Sequence, residues 1–367
     1  MAQSFLVESL GADLGGLGAS LRRARSGVAK ASAGIVFAAG IRSGQLERLA
    51  SAVRDAWPGI PAVVVPASGV LSERGEVEGG PAASGLLWAG GRAEAFAVEG
   101  GALGDTLGGA DAPSTALLFP QPEAFAPEAL DLAPPAGQVQ LLGGGTAGGP
   151  AVAIGGDGAL RSAPFVGLAL RGLARPIVDA SPACRLLGSF ETIDEVERSG
   201  LVLRIGGRPA LEALSKSAAS LDSTARPQIF ALVADGDDDR RFLVRPIRGV
   251  HPDKRGVVVG PDARVGRRMA FAVRDGAVAR TDLERAARQV AQRASGSAPR
   301  FALFVSCAGR GRALFGAADA QTRILRQRFG DLPVAGMQSS FEIVPWSDGS
   351  ARIQLYTGVL ALFASPS

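Results

Sequence analysis

Cys307, Arg310 and Glu342 are the side chains whose types and spacing could do chemistry together. Cys307 ends the run Phe301-Ala-Leu-Phe-Val-Ser-Cys307, and Arg310 follows between Gly309 and Gly311. An arginine beside two glycines can fork onto a carboxylate. A guanidinium near a thiol favours the thiolate. Glu342 has an apolar residue on each side and could accept a ligand's amine. An anion donor and a cation acceptor on neighbouring strand ends suit a zwitterion. Each residue also has a plainer reading. Cys307 could be a small buried hydrophobe, Arg310 a solvated charge and Glu342 a satisfied edge carboxylate.

These side chains need a strand–helix–strand unit to position them. Residues 301–307 form a short apolar run ended by Gly/Arg punctuation, which predicts a buried strand and a loop. Ile324, Leu325 and Phe329 fall at helical spacing. Residues 332–336 predict a second strand running into Ser339 and Ser340, and 353–364 one long closing strand. Such units bind ligands at the carboxyl ends of their strands. The pattern recurs upstream. Strand 34–38, a helix from an N-capping Ser43 to Trp57 and strand 60–65 lead to Ser68-Gly69. Strand 115–119, a weak helix over 125–132 and strand 138–142 lead to Gly143-Gly144-Gly145-Thr146. Three copies therefore start near 34, 115 and 301, at an uneven period that excludes a solenoid. Residues 85–88 and 93–98 read as a hairpin across Ala-Gly-Gly. The fold class is α/β: two domains of mixed β-sheets with flanking helices, built from repeated strand–helix–strand–strand units. An entry segment covers 1–32, and the domains cover 33–205 and 206–367.

Composition narrows the function classes. The chain has 367 residues, 47% hydrophobic and 20% charged, which is globular and long enough for two cores. Its net charge of +4 is almost all arginine, with lysine only at 30, 216 and 254. Codon bias of a GC-rich genome and anion binding both account for that. Two cysteines, Cys184 and Cys307, are too few for a disulfide framework and suggest thiols in a reducing cytoplasm. The first 30 residues lack the apolar core of a signal peptide. No 18-residue apolar run suggests a membrane span. The single histidine, His251, and the lack of a Gly-x-Ser-x-Gly elbow argue against a serine triad. No Cys/His spacing fits zinc. Gly143 to Gly148 matches G-x-G-x-x-G, but Gly149-Pro150 stands where that motif needs a helix, so a tight turn or close backbone approach is the reading. Aromatics at 5% are too sparse for nucleic-acid stacking.

Ser306-Cys307-Ala-Gly309-Arg310-Gly311, Leu332-Pro-Val-Ala-Gly336 and Phe341-Glu342-Ile343 together resemble the carboxy-terminal half of the FIST domain family, the sensory module of F-box and intracellular signal transduction proteins. Ser68-Gly69-Val70, Glu76–Ser84, Gly143–Gly149 and the GGRPALEAL segment within Leu203–Leu214 echo its amino-terminal half. The resemblance spans about 30–364. Phe341 stands where the family has glycine, which would narrow a pocket there. The resemblance implies a cytoplasmic small-ligand sensor, with an amino acid or similar small zwitterion or carboxylate as ligand and a separate signalling partner. Its implied ligand-binding residues are Cys307, Gly309, Arg310, Gly311, Gly336, Ser339, Ser340 and Glu342, with Ser68, Gly69, Glu76, Gly144, Gly145 and Thr146. No cofactor is expected; haem, bound by some members, would have only His251. Two rival readings stand beside this one. One is an interaction scaffold using the basic 240–300 stretch. The other is a thiol-dependent enzyme using Cys307.

Overall fold

A computed structural model describes the chain except residues 12, 110, 126–129, 131–136, 220, 222–227, 237 and 366–367. Much of the expected helix over 125–132 lies outside the described residues. The chain forms two compact units, Met1–Ser181 with Asp282–Ser367, and Pro182–Thr281. The boundary expected near 200–206 falls inside the second unit.

The first unit is built from three copies of one six-stranded pattern. The first copy is β1 (Ala2–Val7), α1 (Leu17–Gly27), β2 (Ala31–Ala39), α2 (Ser43–Ala56), β3 (Ala62–Ala67), β4 (Gly69–Ser72), β5 (Gly75–Glu78) and β6 (Ala82–Ala89). The second is β7 (Arg92–Val98), α3 (Leu103–Leu107), β8 (Thr115–Pro120), β9 (Gln140–Gly144), β10 (Val152–Ile154), β11 (Leu160–Ser162) and β12 (Phe165–Arg171). The third opens with β13 (Ile177–Ser181), and the second unit is inserted there. That unit holds β14 (Cys184–Leu186), β15 (Glu191–Val196), β16 (Leu201–Ile205), β17 (Arg208–Pro209), α4 (Ala210–Ala218), β18 (Ile229–Ala234), β19 (Phe242–Pro246), β20 (Gly249–His251), β21 (Gly256–Val258) and β22 (Arg268–Arg274), all its strands in one sheet. The boundary back to the first unit falls within α5 (Gly276–Arg293). The third copy then resumes with β23 (Ala298–Cys307), α6 (Arg312–Phe315), α7 (Ala320–Phe329), β24 (Val334–Ser339), β25 (Glu342–Pro345), β26 (Ala351–Gln354) and β27 (Gly358–Ser365).

Each copy makes the same sheet. The orders β1-β6-β2-β3, β7-β12-β8-β9 and β13-β27-β23-β24 correspond strand for strand. The pairs β2/β3, β8/β9 and β23/β24 are parallel. Each sheet is completed by a hairpin borrowed from another copy. β10–β11 joins the first sheet, β25–β26 the second and β4–β5 the third. The exchange closes a ring of three, so no copy is complete alone.

The inner faces of the three sheets share one core. Ile35, Phe37, Val65 and Trp88 meet Leu117, Phe119 and Val166, and Phe301, Leu303 and Met337. Phe37 meets Phe119 edge-on at 5.9 Å, and Trp88 stacks on Phe301 at 5.1 Å. The alternate residues face helices. Val36 and Val64 pack under Leu21, Leu49 and Val53 of α1 and α2, and Phe304 and Leu360 pack under Leu283, Val290 and Leu325 of α5 and α7. Burial on both faces is why these strands read as continuous apolar runs.

Two expectations are corrected. β6 and β7 are not a hairpin: they belong to different sheets. Gly90 and Gly91, at φ 93° and 69°, carry the chain from one sheet to the next. The expected strand over 353–364 is broken at Leu355–Thr357, where Tyr356 takes φ 62°, and its halves join different sheets. The expected threefold recurrence and the mixed α/β class are present.

Candidate functional site

Parallel pairing aligns Cys307 with Ser339 at the carboxyl ends of β23 and β24. The hairpin exchange brings the other strand ends to the same region. Ser68 N–H donates to the Gln338 carbonyl at 2.9 Å. Glu342 is opposite Gly144, Gly145 N–H donates to the Phe341 carbonyl at 2.8 Å, and Ser340 N–H donates to the Gly145 carbonyl at 3.1 Å. Ala147 N–H donates to the Pro66 carbonyl at 2.9 Å, which ties the second copy's strand end to the first. Ser68-Gly69, Gly144–Thr146 and Ser339–Glu342 are thus the strand ends of the three copies, and the ring of exchanged strands joins them. The glycines permit this approach: a Cβ on Gly144 would lie 2.7 Å from the Phe341 carbonyl oxygen.

Glu342 and Arg310 are fully buried. Glu342 Oε1 lies 2.8 Å from Ser339 Oγ, and its Oε2 accepts Thr357 N–H at 3.1 Å. That amide is presented by the Tyr356 turn that breaks the expected long strand. Arg310 Nη1 and Nη2 donate to the Ser181 carbonyl and hydroxyl at 2.7 and 3.0 Å. Its Nε reaches Gln321 Oε1 at 3.4 Å, and Phe315 covers the guanidinium. At Gly358 a Cβ would stand 2.9 Å from the Phe304 ring and 3.2 Å from Arg310 Nε, so a side chain there would press on both. Arg310 is therefore neither a solvated charge nor an open anion hook. Buried charge survives only when hydrogen-bonded, and Ser181 and Gln321 are among the groups that bond it here.

A chain of bonds extends from this pair. Ser339 Oγ also lies 3.1 Å from the Ser306 carbonyl, and Ser306 Oγ donates to Gln321 Oε1 at 2.7 Å. Gln321 Nε2 then reaches Glu76 Oε2 at 3.2 Å, while Thr322 N–H donates to Glu76 Oε1 at 2.7 Å. Burial pushes the Glu76 carboxyl up from its ordinary value against these bonds, and the like charge of Glu78 adds to the shift. Glu78 itself accepts Arg312 N–H at 2.8 Å and closes over Gly311, where a Cβ would lie 2.1 Å from its carboxylate.

The remaining expected residues divide clearly. Ser68, Gly309 and Ser340 are exposed. Cys307 is buried, and its amide donates to the Thr357 carbonyl at 2.9 Å. Gly336 lies inside β24, where a Cβ would stand 2.3 Å from the Phe304 carbonyl, so its role is packing. Thr146 is buried and donates to the Gly149 carbonyl at 2.7 Å. Phe341 stacks on Phe125 at 4.8 Å and lies across Gly145. Sequence reasoning missed Ser181, Gln321, Ser306 and Thr357. Ser306 stood inside a quoted motif without a role of its own, and neutral side chains carry no distinctive spacing.

Two other expectations have a place in the structure. His251 is half-buried on β20, its Nδ1 3.4 Å from Lys254 N–H. Much of the basic 240–300 stretch is matched by acids. Arg240, Arg245, Arg255, Arg267 and Arg268 pair with Asp238, Asp262, Glu212, Asp235 and Asp239. Among the described residues no cluster of three His, Cys, Asp or Glu side chains could hold a metal ion, and no helix is long and apolar enough to cross a membrane.

Comparison with known proteins agrees with the motif positions. An uncharacterised protein of Mycobacterium bovis, and one of Mycobacterium tuberculosis, are each 32% identical to this chain over 213 residues, covering 54% of this chain and 53% of theirs. The chain thus spans about half the length of these curated relatives. Another uncharacterised M. tuberculosis protein is 28% identical over 322 residues, covering 81% of this chain and 82% of its own. The FIST N domain model matches residues 32–208 and the FIST C domain model residues 210–345. With both models matched over most of its length, the chain belongs to the FIST family, whose domains are associated with signal transduction and sensing.

Proposed function

We propose that this protein is a cytoplasmic sensor of an amino acid or similar small zwitterion or carboxylate, received at the joined strand ends and reported to a separate signalling partner. The observation that supports this most is the burial of two ionisable side chains, Arg310 and Glu342, whose bonds include Ser181, Gln321, Ser339 and the Thr357 amide, close in the chain to the exposed Gly309 and Ser340. In this reading the neutral groups hold places that charged ligand groups would take. A ligand carboxylate would replace Ser181 on Arg310, and a ligand ammonium would replace Ser339 and Thr357 at Glu342. A charged ligand group adds charge–charge attraction that a serine or a backbone amide lacks, which supplies the driving force. Ser181 immediately precedes Pro182, where the second unit begins. Its release would carry the binding event to that junction.

The scaffold reading is weakened because, among the described residues, eight of the fifteen basic residues of the 240–300 stretch pair with acids. The thiol-enzyme reading would need Cys307 accessible, and it is buried. The test is isothermal titration of the full chain with amino acids, repeated on Glu342→Gln. Binding that weakens at least about tenfold in the variant supports the reading, since one lost charged hydrogen bond is worth about 1.5–3 kcal/mol. Identical titrations would remove Glu342 from the site.

A further inference from the structure

In the second unit a cavity of about 210 Å³ opens between β15, β16, β22 and α4. Its floor is apolar, formed by the buried Ala213, Met269 and Phe271, and its wall carries Glu191, Arg208 and Lys216. The GGRP turn builds that wall. Gly206 takes φ 57°, and a Cβ there would lie 2.6 Å from Glu191 Oε2, so only glycine lets the carboxylate sit against the turn. Arg208 Nη2 then bridges both Glu191 oxygens at 2.7 and 2.6 Å.

Two donors at this cavity are left over. Arg208 Nε–H is buried and has no acceptor among the described residues. Lys216, exposed in the last turn of α4, has no ion-pair partner among the described residues. Neighbouring cations differ: Lys254 pairs with Glu197 at 2.7 Å and Arg255 with Glu212 at 2.9 Å. A buried donor without an acceptor is costly, and an anion beside it removes that cost.

We infer that this cavity binds a small carboxylate with a short apolar body. The carboxylate accepts from Arg208 Nε–H and the Lys216 ammonium, and the body lies on Ala213, Met269 and Phe271. The cavity of about 210 Å³ has room for a molecule of about eight non-hydrogen atoms. An α-amino acid and a simple branched carboxylate share this chemistry; in the first, the ammonium would meet Glu191. The site is separate from the strand ends of the first unit and does not rest on them.

The test is titration calorimetry on the full chain with 4-methylpentanoate, its primary amide and leucine. The expected result is one 4-methylpentanoate per chain, with the amide at least about tenfold weaker. Lys216→Ala, an exposed change, and Arg208→Lys, which keeps the charge but loses Nε, should each weaken the acid about tenfold. Leucine matching or exceeding the acid would identify amino acids as the source. Leucine falling below it would identify simple carboxylates. No binding of either acid at millimolar concentration overturns the inference. So does equal binding of acid and amide, or a titration unmoved by both variants.

Discussion

The two polar constellations of this protein solve opposite problems. At the strand ends of the first unit, Arg310 and Glu342 are fully buried, and Ser181, Gln321, Ser339 and Thr357 answer them. In the second unit, Arg208 meets Glu191 at the wall of an open cavity and keeps one buried donor unanswered. The difference follows from where each sits. Strands buried on both faces offer no water, so every polar group there must bond within the protein. A cavity wall can leave a donor for whatever enters. A ligand at the first place must displace protein bonds and so shifts conformation. A ligand at the second finds its site already formed.

Several substitutions would sharpen or break this contrast. Arg310→Ala should have the largest effect. It strands the acceptors on Ser181 and Gln321 in a buried space and should lower the stability of the chain by about 4 kcal/mol in urea denaturation. A loss below about 1 kcal/mol would mean the cluster is not structurally committed. Gly143→Ala should follow, at about 2–3 kcal/mol, because a Cβ would stand 2.0 Å from the Leu118 carbonyl oxygen at φ 149°. A near-neutral result would show that the joined strand ends have slack.

Glu76→Gln tests the far end of the network through pH. The Glu76 carboxyl is raised above 4.5 in the fold by burial, so the folded state holds its proton more tightly than the unfolded state does. Stability from this group is therefore fully present below about pH 4.5 and is lost as pH rises through the folded value. Like charge on Glu78 works in the same direction, while Thr322 and Gln321 oppose it. The variant should gain stability relative to the natural protein as pH rises from 4 to 7. A pH-independent difference would contradict the burial argument. Lys216→Ala should be the smallest in stability, within about 0.5 kcal/mol, as an exposed change that breaks no ion pair among the described residues. A larger loss would tie Lys216 to the fold rather than to a ligand.

Much of the architecture was legible in the sequence. The runs at 34–38, 60–65, 115–119 and 301–307 are strands, and Leu46, Leu49, Ala50 and Val53 mark a helix face. The three-copy recurrence was visible because each strand end finishes in small residues. The hairpin exchange was not visible: alternation tells which face a strand buries, not which strand it pairs with. Hence β6 and β7 looked like a hairpin, and 353–364 looked like one strand. Glu342 and Arg310 stood out by type and flanking residues, but the glycines around Arg310 suggested an exposed turn. Its burial depends on Ser181, which is 129 residues away, and on Gly358. Partners at that distance leave no local pattern.

The most direct measurement is a thermal-shift screen of the full chain against the amino acids and small carboxylates, run beside Glu342→Gln. The account predicts that at least one compound, at a hundredfold excess over its dissociation constant, adds about 2.7 kcal/mol and raises the midpoint by a few degrees, with most of that shift lost in the variant. No shift from any compound, or a screen in which every shift survives in the variant, would contradict ligand capture at the strand ends.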